Sequence, residues 1–299
     1  MFKIVLARNA GFCYGVKRAM AIAEETAKKN SDKPVYTFGP LIHNPQAVSY
    51  LESISIHSIN NLDNAKIGKL IIRSHGLPPH IVTEAIKKGF EIVDATCPFV
   101  RKAQDLAKTL LKNGYNVAVI GEAEHPEVIG IVGHTNGKAV IIEDEYDIKK
   151  LKGKRKIGIV TQTTQSIEYF QYLVMKILNI GKEIKIYNTI CGATQKRQKA
   201  TLELANKADM MVIIGGKNSA NTTHLAQLAR KTGKPTYHIE KVGEIKNEWF
   251  RHKNIVGISA GASTPGYVIK EIILYLKSLR NQVSDPKRSR LYKEELFNG

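Results

Sequence analysis

The sequence predicts an α/β protein of three similar units with mostly parallel sheets, and three observations carry that prediction. Short runs rich in Ile and Val alternate with helical patterns along the chain. That is the pattern of buried parallel strands joined by right-handed helical crossovers. Several helices end in a basic residue or Asn followed by Gly and a new strand, as in KKGFEIVDA, KNGYNVAVI and KTGKPTYHI. Glycine there supplies the left-handed residue of a helix C-cap. A longer repeat also recurs: FKIVLARNAGFCYGVKRA, FEIVDATCPFVRKA and KIYNTICGATQKRQKA each read strand, short loop, cysteine, then a helix bearing Lys or Arg. The cysteines stand 84 and 94 residues apart, as expected if three divergent units each contribute one thiol at an equivalent place.

Element by element, strands are expected over 2–7, 35–38, 70–73, 91–94, 117–120, 139–142, 157–160, 185–187, 211–214, 236–239 and 255–258. Helices are expected over 19–27, 79–88, 100–112, 167–178, 196–206 and 222–231. Residues 1–280 then form one body of three subdomains, about 14–97, 98–191, and 192–280 together with 1–13; residues 281–299 read as a peripheral tail.

Composition narrows the class. The first residues lack a long apolar segment of the secretory kind, and the run 210–214 is far too short to cross a bilayer, so a soluble, cytoplasmic protein is expected. Three cysteines in such a chain argue against a disulfide framework. The net charge of +18 invites a nucleic-acid reading. Its lysines (Lys28, Lys29, Lys87, Lys88, Lys149, Lys150, Lys152, Lys154) are scattered, however, and no helix-turn-helix, RNP or zinc-finger spacing accompanies them. A solvated basic surface that attracts an acidic protein is the better reading.

In open α/β sheets ligands bind beyond the carboxyl ends of the strands. The loops predicted there carry an unusual set: His43 in GPLIHNP, His75 in RSHGLPP, and His125 with Glu127 in GEAEHPE. VTQTTQS holds Thr161, Thr163 and Thr164; GGKNSANT holds Ser219 and Asn221; SAGASTP holds Ser263 and Thr264. Singly, such residues are ordinary helix caps or surface groups, and His57, His80, His134, His224, His238 and His252 stay in that class. Their convergence on one predicted face is what lifts the others above it. These loops contain little Lys or Arg, so an anion there would be held by neutral donors and helix N-termini. No Walker A or G-x-G-x-x-G pattern indicates a nucleotide.

The thiols leave several readings open. A helix N-terminus lowers a thiol pKa, which suits a nucleophile, a redox thiol or a metal-bound thiolate. One nucleophile does not explain three equivalent placements, and the paired spacing of structural zinc is absent. Inert buried thiols, or an iron–sulfur cluster held by three thiolates with one iron open, both fit the repeat. A hydrolase or transferase using a Cys or a Glu–His pair on a phosphorylated metabolite also stands at this point.

Taken in order, ARNAGFCYGVKRA, GPLIHNP, RSHG, DATCPFV, GEAEHPE, TQTT, TICGATQKRQ, KNSANT and AGAST resemble the motifs of the 4-hydroxy-3-methylbut-2-enyl diphosphate reductase (IspH, LytB) family, to about Ser263. The resemblance implies a trefoil of three α/β/α units around a central [4Fe-4S] cluster bound by Cys13, Cys97 and Cys191 with one open iron. It implies an oxidoreductase that removes the allylic hydroxyl of 4-hydroxy-3-methylbut-2-enyl diphosphate as water, using two electrons and protons. Isopentenyl and dimethylallyl diphosphates result, in the last step of the non-mevalonate isoprenoid pathway. Carried over by position, His43, His75 and His125 hold the diphosphate with Thr164, Ser219, Asn221 and Ser263. Thr163 and Glu127 face the substrate hydroxyl, with Glu127 the proton source and His125 and Thr163 assisting. Ala220 stands where a second serine is usual; its backbone N–H can still serve, with one side-chain donor lost. Implied partners are the allylic diphosphate and a ferredoxin- or flavodoxin-type electron donor, with no nucleic acid, no membrane, and a monomer or weak homodimer. Gly11 and Gly15 are expected to let the backbone approach the cluster, and Phe12 and Tyr14 to exclude water.

Overall fold

The computed structural model describes residues 2–29 and 33–283, so the expected tail falls outside the described residues from 284 onward. The chain opens with β1 (Lys3–Leu6) and α1 (Tyr14–Lys28). Next come β2 (Val35–Phe38), α2 (Pro45–Ser53), β3 (Ile56–Ile59), β4 (Lys69–Ile72), α3 (Pro79–Lys87) and β5 (Glu91–Asp94). Helix α4 (Pro98–Lys112) leads into β6 (Asn116–Ile120), α5 (Pro126–His134), β7 (Val140–Ile142), β8 (Lys156–Thr161), α6 (Ile167–Leu178) and β9 (Glu183–Ile186). Helix α7 (Gly192–Ala205) leads into β10 (Met210–Ile214), α8 (Ala220–Arg230), β11 (Thr236–Ile239), β12 (Ile255–Ala260) and α9 (Gly266–Val283).

These strands form three four-stranded sheets, ordered β3-β2-β4-β5, β7-β6-β8-β9 and β11-β10-β12-β1, with every pairing parallel. Counted within each sheet, the order is the same, 2-1-3-4; in the last sheet β1 supplies the fourth strand. The strand order reverses between strands 1 and 3 of each sheet, the topological switch point where such sheets bind ligands. Two compact units result: Cys13–Gln195, with the first two sheets, and the remaining described residues from both ends, with the third.

In the second unit, β10 shows why the strands read as unbroken apolar runs. Val212 and Ile214 pack on one face with Ile258, Ile272 and Leu276. Met211 and Ile213 pack on the other with Leu225, Ala226 and Ala229. Side chains alternate across a strand, and both faces are covered by helices. The sheet containing β6 repeats this: Ala118 and Ile120 join Ile159 and Leu173 on one side. Val117 and Val119 meet Ala103, Ala107 and Leu110 of α4 on the other.

The predicted C-cap glycines behave as the repeat requires: Gly89, Gly114 and Gly233 have φ of 91°, 78° and 74°. Helices α1, α4, α7 and α8 begin two to five residues earlier than expected, because the cysteine and serine loops are themselves the helix caps. Among the described α-helices and strands, α2, β3, α5 and α9 have no counterpart in the elements expected from the sequence. Strand β3 is a half-exposed edge, and α5 (PEVIGIVGH) is rich in glycine and β-branched residues, both poor helix formers. Among the described residues, no helix is long and apolar enough to cross a membrane.

Ile159 is fully buried on one face of its sheet, packed in a cluster with Ala118, Ile120 and Leu173. Ile159→Ala is expected to lower stability by about 2–5 kcal/mol, the cost of a large-to-small core change. The shift should be read from the midpoint of chemical denaturation.

Candidate functional site

Each cysteine follows the fourth strand of a sheet and opens a helix. Lys17 N–H donates to Cys13 O (2.9 Å), Arg101 N–H to Cys97 O (2.9 Å) and Gln195 N–H to Cys191 O (3.1 Å). The three are free thiols and half-buried. A Cβ added at Gly15 would lie 2.5 Å from Cys97 Sγ and 4.0 Å from Cys13 Sγ, so these two sulfurs flank one backbone point where no side chain fits. Arg18, on α1, donates to the carbonyl of Thr96 (3.1 Å) and ties the two helix starts together. Tyr14 is 63% exposed and does not shield the thiols as expected.

The expected lowering of thiol pKa is corrected at two of the three positions. The N–H groups of Phe99 and Val100 stabilise a Cys97 thiolate, but burial outweighs them, Cys13 and Cys191 add repulsion, and the thiol is pushed up to about 11. Burial likewise raises Cys191 against the N–H groups of Ala193 and Thr194. Thiols gathered in this way are poor free nucleophiles. They become thiolates when a cation takes the proton's place.

In the same unit, loops after strands 1 and 3 bring three imidazoles together. Ring centroids are 4.6 Å apart for His43 and His75, 5.5 Å for His43 and His125, and 5.4 Å for His75 and His125. One nitrogen from each lies within 4.8 Å of the others, a spacing that could serve a metal or an anion. His125 is the N-cap of α5, and its Nδ1 accepts from Glu127 N–H (3.2 Å). That bond leaves a neutral ring with its proton on Nε2, a donor, which favours an anion.

Arg73, which sequence reasoning passed over, strengthens that choice. Its Nη1 lies 2.6 Å from where a Cβ of Gly39 would stand, and its Nε is buried without a partner. Burial brings its pKa down to about 10, and it remains a cation. Burial and then the Arg73 charge press His43 down to about 4. Burial, the other two rings and Arg73 hold His75 well below its ordinary value. His43 Nε2 and His75 Nδ1 are buried with no hydrogen-bond partner. Each such orphan costs about 1–3 kcal/mol, which a ligand can recover.

Glu127 is 1% exposed. Its Oε1 accepts from Thr163 N–H (2.6 Å) and its Oε2 from Thr163 Oγ1 (2.9 Å). Burial raises its pKa, both Thr163 bonds lower it, and the balance settles at about 7. Gln162, fully buried, donates to Thr164 Oγ1 (2.9 Å) and accepts from Glu122 N–H (3.0 Å), fixing that loop. Thr161 is spent on structure: its hydroxyl donates to Ile120 O (3.0 Å).

The other unit presents Ser219, Ala220 and Asn221 at the start of α8, all buried, with Ser263 also buried in the loop after β12. Ser219 is the N-cap, accepting from Thr222 N–H. Both amide atoms of Asn221 and the hydroxyl of Thr222 are buried without partners. Gly215, at φ 142°, has no room for a Cβ against Thr264 Oγ1 at 2.5 Å. Buried Arg197 donates Nε to Asn9 O and Nη2 to Gly11 O, both at 2.9 Å, bracing the loop ahead of Cys13. Its only sequence signal was a cation six residues after a cysteine. Of the histidines set aside, His134 Nδ1 bonds to Gly130 O and His238 Nε2 to Gly215 O, as structural groups do.

Comparison with known proteins gives one consistent result. The LytB protein family profile matches residues 4–277. A 4-hydroxy-3-methylbut-2-enyl diphosphate reductase of Pelobacter propionicus is 46% identical over 271 residues, 91% of this chain and 96% of the relative. One from Aquifex aeolicus is 44% identical over 275 residues, 91% and 95% of the two chains. A solved structure of (E)-4-hydroxy-3-methyl-but-2-enyl diphosphate reductase, described as the terminal enzyme of the non-mevalonate pathway, superposes with a TM-score of 0.69. It is 44% identical and covers 93% of this chain and 100% of its own. The Plasmodium falciparum E-1-hydroxy-2-methyl-but-2-enyl-4-diphosphate reductase reaches 0.86 at 30% identity, covering 91% of this chain and 87% of its own.

The Glu127–Thr163 pair makes a direct prediction. Thr163→Val removes a hydroxyl that stabilises the carboxylate, so the Glu127 pKa should rise above about 7. Difference infrared titration of the carboxyl band checks this; an unmoved or lowered titration would contradict it.

Proposed function

Since the chain belongs to the LytB protein family, we propose that it performs the reductase reaction for which its relatives are named: removal of the allylic hydroxyl of 4-hydroxy-3-methylbut-2-enyl diphosphate as water. The products are isopentenyl and dimethylallyl diphosphates, at the end of the non-mevalonate pathway. The reaction's iron–sulfur centre is a [4Fe-4S] cluster held by Cys13, Cys97 and Cys191. The observation that carries this reading is the approach of Gly15 to the Cys13 and Cys97 sulfurs: a backbone with no room even for a Cβ suits thiolates gathered on a bulky inorganic group. When bound, that group supplies electrons and a Lewis-acidic iron for the departing oxygen.

This chain's own residues would do the rest. His43, His75 and His125 offer neutral donors to the diphosphate, with Arg73 adding charge; Thr164, Ser219, the Ala220 N–H, Asn221 and Ser263 contribute further donors. Binding the remote diphosphate turns its energy into orientation of the hydroxyl. With a pKa of about 7, Glu127 is substantially protonated at neutral pH, in a setting where water is excluded. Once protonated on Oε2, Glu127 would reverse that bond and donate to Thr163 Oγ1, 2.9 Å away, whose own hydroxyl proton can then pass to the leaving oxygen. A cytoplasmic location and a ferredoxin- or flavodoxin-type electron donor complete the reading.

Purified anaerobically, the chain should be brown and carry iron and sulfide in equal amounts. Cys13→Ser, Cys97→Ser or Cys191→Ser should each deplete them, and Gly15→Ala should do so with the fold retained by circular dichroism. A fully iron-free chain after anaerobic reconstitution would overturn the assignment. Glu127→Gln should keep substrate affinity and lose about 10²–10⁴-fold in turnover, the usual contribution of a general acid. Because the active form is the protonated one, wild-type turnover should fall as pH rises through about 7. The residual Glu127→Gln rate should lack that limb, and an identical profile in the variant would remove Glu127 from the role.

A further inference from the structure

The unit that holds the third sheet has a cavity that the chemistry above leaves unused. It opens between the end of α8, strand β11 and two short 3₁₀ turns, Val242–Glu244 and Asn247–Phe250, and measures about 530 Å³. Small molecules are held in cavities of about 300–1,000 Å³. None of its lining residues is among those assigned above to the diphosphate or the cluster.

One wall is aromatic. Trp249, the chain's single tryptophan, stacks on Tyr237 with ring centroids 3.8 Å apart and planes 7° from parallel. Both rings are half-buried, so a rigid flat surface borders the cavity. Arg230 and Lys246, also in the lining, are exposed, and neither makes an ion pair among the described residues. The other ionisable groups are engaged: Lys217 Nζ donates to Glu244 Oε2 (2.6 Å), and His238 Nε2 donates to Gly215 O (2.8 Å). The charge left uncommitted is therefore positive. All four residues of β11 line the cavity, although their side chains alternate between the faces of the sheet. The cavity thus meets the strand edge-on. Strand β11 ends the order of its sheet, so its backbone on that side pairs with no other strand.

We propose that this cavity is a second binding site, for a small planar aromatic anion of mononucleotide size. The ring lies against the Trp249–Tyr237 wall, its polar edge meets the open backbone of β11, and its phosphate is held by Arg230 and Lys246. An aliphatic anion would leave the flat wall and the strand edge unused, and an inorganic anion would engage the two cations alone. A glycine-rich phosphate loop is not required where stacking and side-chain cations provide recognition. The assignment does not rest on the reductase reading.

The test uses the full chain, purified anaerobically, with AMP as probe at low ionic strength. Trp249 is a built-in reporter: adenine stacking should quench its fluorescence saturably, with a Kd tighter than about 1 mM. Adenosine, lacking the anion, and inorganic phosphate, lacking the ring, should each bind at least about tenfold more weakly. The Arg230→Gln/Lys246→Gln variant should weaken AMP about tenfold while keeping the parent's denaturation midpoint. A control of the same charge change, Lys152→Gln/Lys154→Gln, alters exposed lysines outside the cavity and should retain the parent affinity.

Absence of a saturable response to AMP would overturn the proposal. Equal weakening in both variants, or phosphate binding as tightly as AMP, would overturn it too, since either shows only general charge attraction. So would AMP affinity unchanged in the Arg230/Lys246 variant but lost in competition with inorganic diphosphate, which would place AMP among the histidines instead. A Trp249 signal that changes on dilution of the protein alone would make the cavity a contact between copies of the chain and overturn the small-molecule assignment. No readout here is turnover, so failure of the reductase reading would leave these outcomes as they stand.

Discussion

A parallel strand covered by helices on both faces has no side chain to spare for chemistry, because every residue along it is claimed by one core or the other. That constraint organises the molecule. In β6, β8, β10 and β12 nearly every residue is buried, and the polar residues of interest begin only as the chain leaves a strand. The shared 2-1-3-4 order then decides which loops matter. Strands 1 and 3 are neighbours at the point where the strand order reverses, and between them they carry His43 with His75, His125 with Thr163, and Ser219 with Ser263. Strand 4 of each sheet carries the cysteine. One topology used three times yields three thiols and three donor pairs.

Burial also sets the electrical character of the site. Desolvation keeps His43 and His75 neutral and Glu127 close to half protonated at neutral pH, so the enclosed groups donate hydrogen bonds without carrying opposed charges. The single strong cation among them, Arg73, is in the one loop residue type that the sequence reading expected to be scarce. An anion entering such a place meets unpartnered nitrogens whose desolvation has already been imposed by the fold, which is what preorganisation means in energetic terms. The partnerless amide of Asn221 in the other unit has the same character.

The thiols illustrate a competition that a helix-start argument by itself gets wrong. Backbone N–H groups at the starts of α4 and α7 do favour thiolates, but desolvation and mutual repulsion win. Clustering is therefore costly until a metal centre replaces the protons. The polypeptide meets that requirement with a glycine at the point of closest approach and with arginines, Arg18 and Arg197, donating to carbonyls of the loops that precede two of the cysteines. Tyr14, expected inside as a shield, instead faces water, as does Lys17 one turn further along α1.

Much of this was legible in the residues themselves: the alternation of Ile/Val runs with helices, the glycine C-caps at 89, 114 and 233, the cysteine repeat, and the polar loops at strand ends. These are local signals, written in periodicity and in the backbone needs of single residues. Strand β3 and helix α5 were not legible, since an exposed edge and a helix of poor formers are held by packing rather than propensity. The parallel register in which β1 pairs with β12, some two hundred and fifty residues later, was likewise decided by pairing across the chain. So were the roles of Arg73, Arg197 and the outward Tyr14, and the balance that leaves Glu127 titrating near neutrality. Sequence sets what each loop can offer; burial, which depends on everything folded around it, decides the charge and direction with which it is offered.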